Sequence, residues 1–125
     1  MTLPYGATVL EHFRRPRNHH PLERPTVSRE GYNPLCGDRV RIELEIADGA
    51  VRSAAFTANA CAICTASASL LTESVSGLSV SRVHEFTDEE IVAALGTQLP
   101  AGRLLCATLP LRTLREALAG LTPAA

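Results

Sequence analysis

The clearest pattern in the chain is a strict alternation of polar and apolar residues from Arg39 to Ile46, which reads R-V-R-I-E-L-E-I. Alternation with a period of two predicts a strand with one buried face. Asp48-Gly49 is a turn signal typical of hairpins, so a return strand is expected over residues 51–58. A weaker signal indicates a third strand around residues 26–33. The residues expected to face inward on the first two strands are Val40, Ile42, Leu44, Ile46, Ala54, Phe56 and Ala58.

Two helices are predicted on either side of this hairpin. Residues 5–13 should form a short helix whose apolar stripe consists of Tyr5, Val9, Leu10 and Phe13. The prolines that follow over residues 16–25 predict an irregular connector, in which His19 and His20 are expected to be exposed rather than metal-bound. A second helix is predicted from about Cys61 to Ser76 and should end at Gly77. Its buried stripe is expected to be Cys64, Ala68, Leu71 and Val75.

The C-terminal third is predicted to be helical. One or two short helices are expected over residues 78–95, because residues 87–90 (T-D-E-E) have the form of a helix start. A last helix is expected over residues 106–119. Proline fits only the first turn of a helix, so Pro110 places Cys106 at or just before the N-terminus of that helix. The predicted fold class is therefore α+β: a small three-stranded antiparallel sheet with helices packed on one face.

Length and composition limit the classes of function. The 125 residues are enough for one domain, predicted to span 1–125. A net charge of −1 gives no electrostatic reason to expect nucleic acid or an anionic membrane as a partner. No apolar run reaches the roughly 18–20 residues of a membrane span. Pro4 and Glu11 stand where a signal peptide needs basic and apolar residues, so a cytoplasmic location is expected.

The hairpin brings distant residues together. The first strand leaves Asp38 and runs for about 26 Å at roughly 3.3 Å per residue, and the second strand returns by the same distance to Cys61. Cys36 and Asp38 flank a glycine that permits a tight turn, which allows them to face a common point. Cys36, Asp38 and Cys61 are therefore expected at the same end of the sheet.

Cysteines in a cytosolic chain of this size favour metal binding or thiol chemistry over disulfides. Cys64 belongs to an apolar stripe and is expected to be structural. Cys61 lies at a predicted helix N-terminus, where the helix dipole favours the thiolate, and the same argument applies to Cys106. Together with Cys36 and Asp38, these two cysteines are enough to fill a tetrahedral metal site.

Four segments of the chain resemble the IscU/SufU family of iron–sulfur cluster assembly proteins, equivalent to the N-terminal domain of NifU. They are residues 5–18, with Tyr5 and the later P-R-N; 33–38, which read N-P-L-C-G-D; 61–69; and 103–109, which read R-L-L-C-A-T-L. The similarity covers nearly the whole chain. It implies the family fold and a non-enzymatic assembly role. It also implies that a zinc ion or a [2Fe–2S] cluster occupies one shared site, with Cys36, Asp38, Cys61 and Cys106 as ligands.

The chain departs from both branches of the family. Leu105 replaces the histidine that precedes the third cysteine in the IscU branch, while Arg103 matches the SufU branch. The step from Cys61 to Cys106 is too short for the insertion of the SufU branch. Residues 99–103 (L-P-A-G-R) match the chaperone-recognition segment of IscU only in part, which does not support a dedicated chaperone partner.

Three functions are compatible with these features. The first is a scaffold that receives sulfur from a pyridoxal-phosphate cysteine desulfurase, assembles a transient [2Fe–2S] cluster and passes it to apo-proteins as a monomer or weak homodimer. The second is a zinc-bound sulfur acceptor that stimulates the desulfurase, with Arg103 pairing with Asp38 or steadying the open site. The third, a structural zinc module, fits less well, because such sites typically use four cysteines or a cysteine–histidine mixture. Cys61 and Cys106 are the candidate persulfide acceptors.

Overall fold

The computed structural model describes residues 6–121, and these form a sheet of three strands with helices before and after it. Tyr5 lies outside the described residues. In chain order the elements are α1 (Ala7–Arg14), β1 (Val27–Asn33), β2 (Asp38–Ala47), β3 (Ala50–Asn59), α2 (Ala62–Val75), α3 (Val80–His84), α4 (Asp88–Ala94), a 3-10 turn (Ala101–Arg103) and α5 (Leu104–Ala119). The predicted fold class is confirmed, and so are all three predicted strands.

The sheet is an antiparallel meander in the order β1-β2-β3. Its register pairs Ile42 with Phe56 and Leu44 with Ala54, so the alternating apolar residues of the two strands share one face. Val40, Ile42, Leu44, Ala54 and Phe56 are buried as expected, whereas Ile46 and Ala58 are half-buried. The β2–β3 turn has Asp48 at φ 54° and Gly49 at φ 74°, which is the backbone of a primed hairpin turn.

The helices cover the apolar face of the sheet. α5 packs on β1 and β2, α2 packs on β3 and against α5, and α1 packs on α2. α5 lies close to the sheet at Gly31 of β1, where a Cβ atom would overlap the hydroxyl oxygen of Thr113. The predicted stripe of α2 is fully buried at Cys64, Ala68, Leu71 and Val75. This packing fixes the start of α5 over the β1–β2 end of the sheet.

Two sequence-based expectations about the helices are wrong. Phe13 is 45% exposed instead of facing the core, and His12 is buried in its place with its Nδ1 atom 2.7 Å from Ser69 Oγ. The side of α2 that receives α1 offers a hydroxyl, so a polar ring with a hydrogen-bond partner fits there better than phenylalanine does.

The second error concerns the start of α5, which begins at Leu104 and not at 106. Pro110 therefore lies inside the helix and not in its first turn. Proline has no N–H, so the hydrogen bond from residue 110 to the Cys106 carbonyl is missing. The helix nevertheless continues through Pro110, which is buried. As a result Cys106 lies in the first turn of α5.

The free edge of β3 is covered by two short pieces of chain. The connector after α1 pairs with it, because Phe56 N–H donates to the Asn18 carbonyl at 2.9 Å and the ring of His19 stacks on Phe56 with centroids 4.7 Å apart. Further along, Val51 N–H donates to the Leu78 carbonyl at 2.8 Å. His19 and His20 are both exposed, as expected. Among residues 6–121, no helix has the length and apolar character needed to cross a membrane.

Candidate metal centre

The loop between β1 and β2 presents the first thiol of the site. Asn33 is buried, its side-chain oxygen accepts the Leu35 N–H at 3.1 Å, and its carbonyl accepts the Gly37 N–H at 2.8 Å. Gly37 has φ 78°, in the left-handed region that favours glycine. These bonds fold residues 34–37 back over the end of the sheet, so Cys36 is exposed at the tip while its sulfur points toward α5.

Asp38, the first residue of β2, connects the sheet to α2. Its Oδ1 accepts the backbone N–H of Cys61 at 2.9 Å, and its Oδ2 lies 3.4 Å from Cys61 Sγ. Cys61 is the N-cap residue of α2, as the sequence predicts, so the carboxylate lies at the positive end of that helix. The carboxyl is nearly completely buried, with 3% of the residue exposed.

The hydrogen bonds around Asp38 determine its charge. Burial alone would raise its pKa, but hydrogen bonds from the Cys36 thiol, the Cys61 backbone N–H and the Cys106 and Cys61 thiols together lower the pKa below its ordinary value. The side chain is therefore an ionised carboxylate at neutral pH. It supplies a negative charge beside the cysteine sulfurs, and a buried negative charge attracts a cation.

The start of α5 contributes the third thiol. Cys106 is fully buried, and its Sγ lies 3.5 Å from Cys36 Sγ. Burial, followed by hydrogen bonds to Cys36 and Asp38, raises the pKa of the Cys106 thiol above its ordinary value. The expectation that a helix N-terminus would favour a Cys106 thiolate is therefore not supported. Ser67 of α2 holds this turn in place, because its hydroxyl donates to the Ala107 carbonyl at 2.6 Å.

The residues singled out from the sequence meet at this end of the sheet. Ligand atoms of Cys36, Asp38 and Cys106 all lie within 4.8 Å of one another, whereas Cys61 is not a member of this group and contacts it through Asp38. Cys64 is fully buried in the hydrophobic core, and burial raises the pKa of its thiol. Arg103 lies in the 3-10 turn that leads into α5.

Two of the separations between donor atoms match those around a tetrahedral ion. An ion bound at about 2.3 Å to sulfur and about 2.0 Å to oxygen holds two sulfurs about 3.8 Å apart and a sulfur and an oxygen about 3.5 Å apart. The separation of 3.5 Å between the Cys36 and Cys106 sulfurs and that of 3.4 Å between Cys61 Sγ and Asp38 Oδ2 are close to these values. Thiolates suit zinc and iron–sulfur clusters, and the carboxylate makes the donor set harder than four thiolates would be.

Two residues of the site were missed as contributors by reasoning from the sequence. Asn33 shapes the Cys36 loop, and the Asn-Pro dipeptide, a turn signal, was the available indication. Ser67 fixes α5 to α2 beside Cys106, but a serine among the small residues of a helix does not indicate which carbonyl it will reach. Both act by positioning the cysteines and neither offers a soft donor.

Fold and site together define a small α+β domain with a candidate metal centre, lined by cysteine and aspartate, at one end of a three-stranded sheet. A family model described as the NifU-like N-terminal domain matches residues 4–122. The chain therefore belongs to the NifU-like N-terminal domain family, which confirms the resemblance seen in its motifs.

The curated relatives carry names from both branches of the family. The chain is 36% identical over 114 residues to the bifunctional protein NifU/MnmA of Rubrobacter xylanophilus, covering 90% of this chain but only 23% of that protein. It is 30% identical over 132 residues to the zinc-dependent sulfurtransferase SufU of Bacillus subtilis, covering 92% and 89% of the two chains. It is also 30% identical over 114 residues to the iron–sulfur cluster assembly scaffold protein IscU 1 of Archaeoglobus fulgidus, covering 91% and 74%.

Solved structures agree on the fold. The FiSufU protein of Fervidobacterium islandicum superposes with a TM-score of 0.75 at 20% identity, over 91% of this chain and 96% of that one. A NifU-like N-terminal protein from Brucella abortus gives a TM-score of 0.76 at 19% identity, over 93% and 92%. At such identities the likeness shows the shared fold alone.

Proposed function

We propose that this protein is an iron–sulfur cluster assembly scaffold, which receives sulfur from a cysteine desulfurase, binds iron, assembles a transient [2Fe–2S] cluster and passes it to apo-proteins. The observation that carries the proposal is the meeting of three thiols and one carboxylate at an end of the sheet where Cys36 is exposed. The names of relatives in the scaffold branch support it. The proposed ligands are Cys36, Asp38, Cys61 and Cys106.

The site lies where a sulfur donor can deliver sulfur and a recipient protein can take up a cluster. Cys36 stands on a loop whose neighbouring Leu35 is 82% exposed, so both a sulfur donor and a cluster recipient can approach. A single carboxylate among thiolates is a weaker ligand for iron than a fourth thiolate, so a bound cluster is held less tightly than in an all-cysteine site. A scaffold needs this combination because it must release what it assembles.

The exposure of each thiol indicates which cysteine accepts sulfur from the desulfurase. An acceptor thiolate attacks the outer sulfur of the desulfurase persulfide, a new S–S bond forms, the old one breaks and the desulfurase thiolate leaves. Cys61 is half-buried at the N-cap of α2, whereas Cys106 is fully buried. We therefore favour Cys61 over Cys106 as acceptor, and the exposure of Cys36 adds it as a third candidate.

Anaerobic reconstitution tests the proposal. The protein is incubated with a desulfurase, cysteine, ferrous iron and dithiothreitol. Reduction of two persulfide sulfurs to sulfide needs four electrons. Two come from oxidation of the two ferrous ions to ferric iron, and dithiothreitol supplies the other two. The expected result is two irons and two acid-labile sulfides per cluster with the matching visible absorption. Alanine at Cys36, Cys61 or Cys106 should abolish this product, while Cys64→Ala, a matched control in the core, should retain it. Loss with Cys64→Ala and retention with Cys106→Ala would show that the ligand assignment is wrong.

A zinc-bound sulfur acceptor is the second candidate, because two separations match those around a single tetrahedral ion. They are the separation between the Cys36 and Cys106 sulfurs and that between Cys61 Sγ and Asp38 Oδ2. A relative named as a zinc-dependent sulfurtransferase supports it. In this function Arg103, at the entry to α5, would steady Asp38 when a thiolate leaves the metal. One tightly bound zinc per chain, no cluster after reconstitution and a faster desulfurase would favour this function. Arg103→Lys should then retain the stimulation better than Arg103→Ala does.

A further inference from the structure

Two of the thiols in the site are placed to react with each other. Cys36 Sγ and Cys106 Sγ lie 3.5 Å apart, although 70 residues separate them in the chain. A disulfide requires about 2.05 Å between the sulfurs, so a movement of roughly 1.5 Å would join them. We propose that Cys36 and Cys106 form a disulfide when a peroxide oxidises the metal-free protein, and that this modification closes the site to metal ions.

The contacts select this pair from the four cysteines. Cys61 is held by the bond from its backbone N–H to Asp38, and its sulfur is not part of the group in which the Cys36, Asp38 and Cys106 ligand atoms all lie within 4.8 Å of one another. Cys64 is fully buried among apolar residues of the core, away from the group of ligand atoms. Cys36 is the exposed thiol and Cys106 is the buried thiol next to it. One member of the pair can meet an oxidant, and the other is shielded from solvent but within reach of the first.

The loop that carries Cys36 has room to make the movement. Leu35 is 82% exposed, and a Cβ atom built on Gly37 would meet no neighbouring atom within 4 Å. Cys106, in contrast, is fixed by the packing of α5 on the sheet and by the bond from Ser67 to the Ala107 carbonyl. The loop can therefore carry its sulfur toward α5 while the helix stays in place.

The reaction balances with hydrogen peroxide as the oxidant. Peroxide converts the Cys36 thiol to a sulfenic acid and leaves as water. The Cys106 sulfur then attacks the Cys36 sulfur, the S–S bond forms and the S–O bond breaks. The Cys106 thiol proton and the departing hydroxide combine, and a second water is released. The site loses two thiolate donors until a dithiol reduces the bond.

Trypsin separates the candidate partners, which makes the pairing directly measurable. Cleavage after arginine places Cys36 in residues 30–39, Cys61 and Cys64 together in residues 53–82, and Cys106 in residues 104–112. Reduced, metal-free protein is treated with hydrogen peroxide, free thiols are alkylated, and the digest is examined by mass spectrometry. The expected product is a cross-link between peptides 30–39 and 104–112 that dithiothreitol removes. Cys61→Ala should retain this cross-link and Cys36→Ser should abolish it.

A cross-link involving peptide 53–82 in its place, or over-oxidised Cys36 with no cross-link, would overturn the proposal. Zinc content gives a second readout: oxidised protein should retain no zinc after gel filtration, and reduced protein should recover it. The effect on zinc rests on the metal site proposed above, whereas the disulfide does not. A cross-link with unchanged zinc binding would therefore contradict the ligand assignment and the closing of the site, but not the pairing itself.

Discussion

The contact between β1 and α5 at Gly31 gives a sharp test of how the metal centre is positioned. A Cβ atom at this residue would overlap the hydroxyl oxygen of Thr113 and would lie 3.3 Å from Leu109 Cδ1. The Thr113 hydroxyl donates to the Leu109 carbonyl at 2.8 Å in a buried environment, so it cannot move aside without losing that bond. Gly31→Ala must therefore push α5 away from the sheet or break the bond.

The cost can be worked out from these two contacts. Overpacking a well-filled core costs about 1–3 kcal/mol, and a lost buried hydrogen bond adds about 1 kcal/mol. A loss of about 2–4 kcal/mol is a large part of a typical folding free energy of about 5–15 kcal/mol. In a chain of this size it lowers the melting temperature by roughly 10 °C. The displacement of α5 should also separate Cys106 from Cys36 and weaken zinc binding.

Urea unfolding followed by circular dichroism measures this free energy, and competition with a chromophoric chelator measures zinc affinity. Gly102→Ala is the matched control, because its Cβ would meet no neighbour within 4 Å, and it should change stability by less than about 0.5 kcal/mol. Thr113→Ala should partly rescue Gly31→Ala, with a favourable coupling of about 1–2 kcal/mol. Strict additivity of the two changes, or a loss below about 0.5 kcal/mol for Gly31→Ala, would refute the close packing.

Three further predictions concern Asp38, His12 and the start of α4. Asp38→Ala should destabilise the metal-free protein by about 1 kcal/mol in urea unfolding, because the Cys61 N–H loses its acceptor. Asp38→Asn keeps an oxygen at that position, so it should cost less stability but still weaken zinc binding. Burial first, then the charge of Arg17, lowers the pKa of His12, so the unfolded chain binds more protons than the folded one as the pH falls through about 6.5. Stability should therefore fall as the pH is lowered from about 7.5, and His12→Gln should reduce that slope in urea titrations; an unchanged slope would contradict the assignment. Thr87→Ala removes a capping box with Glu90 and should cost about 1 kcal/mol by the same assay, without changing zinc binding.

The parts of the fold that the sequence predicts are those determined by short-range periodicity. Alternation over β2 and the Asp48-Gly49 turn fix the hairpin, and the hairpin alone brings Asp38 and Cys61 to the same end of the sheet. The sequence could not predict the start of α5. Leu104 and Leu105 are each 43% exposed, so the helix begins without a buried stripe to mark it.

Tertiary packing decides the remaining differences. The apolar pattern places Phe13 in the core, but the neighbouring helix offers Ser69, and a buried hydrogen bond makes His12 the residue that faces inward. Likewise, no local pattern indicates that Cys106 is completely buried, because that burial depends on how α5 crosses the sheet. Residue type and spacing therefore predict which side chains come together at this end of the sheet, while distances and exposure depend on contacts between elements far apart in the chain.

The two oxygens of Asp38 explain why a carboxylate suits this position better than a fourth cysteine. Oδ1 accepts the Cys61 N–H and so stabilises the start of α2, while Oδ2 faces Cys61 Sγ on the side where the other donors lie. A cysteine has one sulfur, which is a weak hydrogen-bond acceptor, so it could not satisfy the backbone and bind a metal ion at the same time. In the proposed site, an aspartate could bind a metal ion through Oδ2 and keep the bond from Oδ1 to α2. The start of α2 would then stay in place through the loading and release that we propose, because one oxygen holds the helix while the other exchanges ligands.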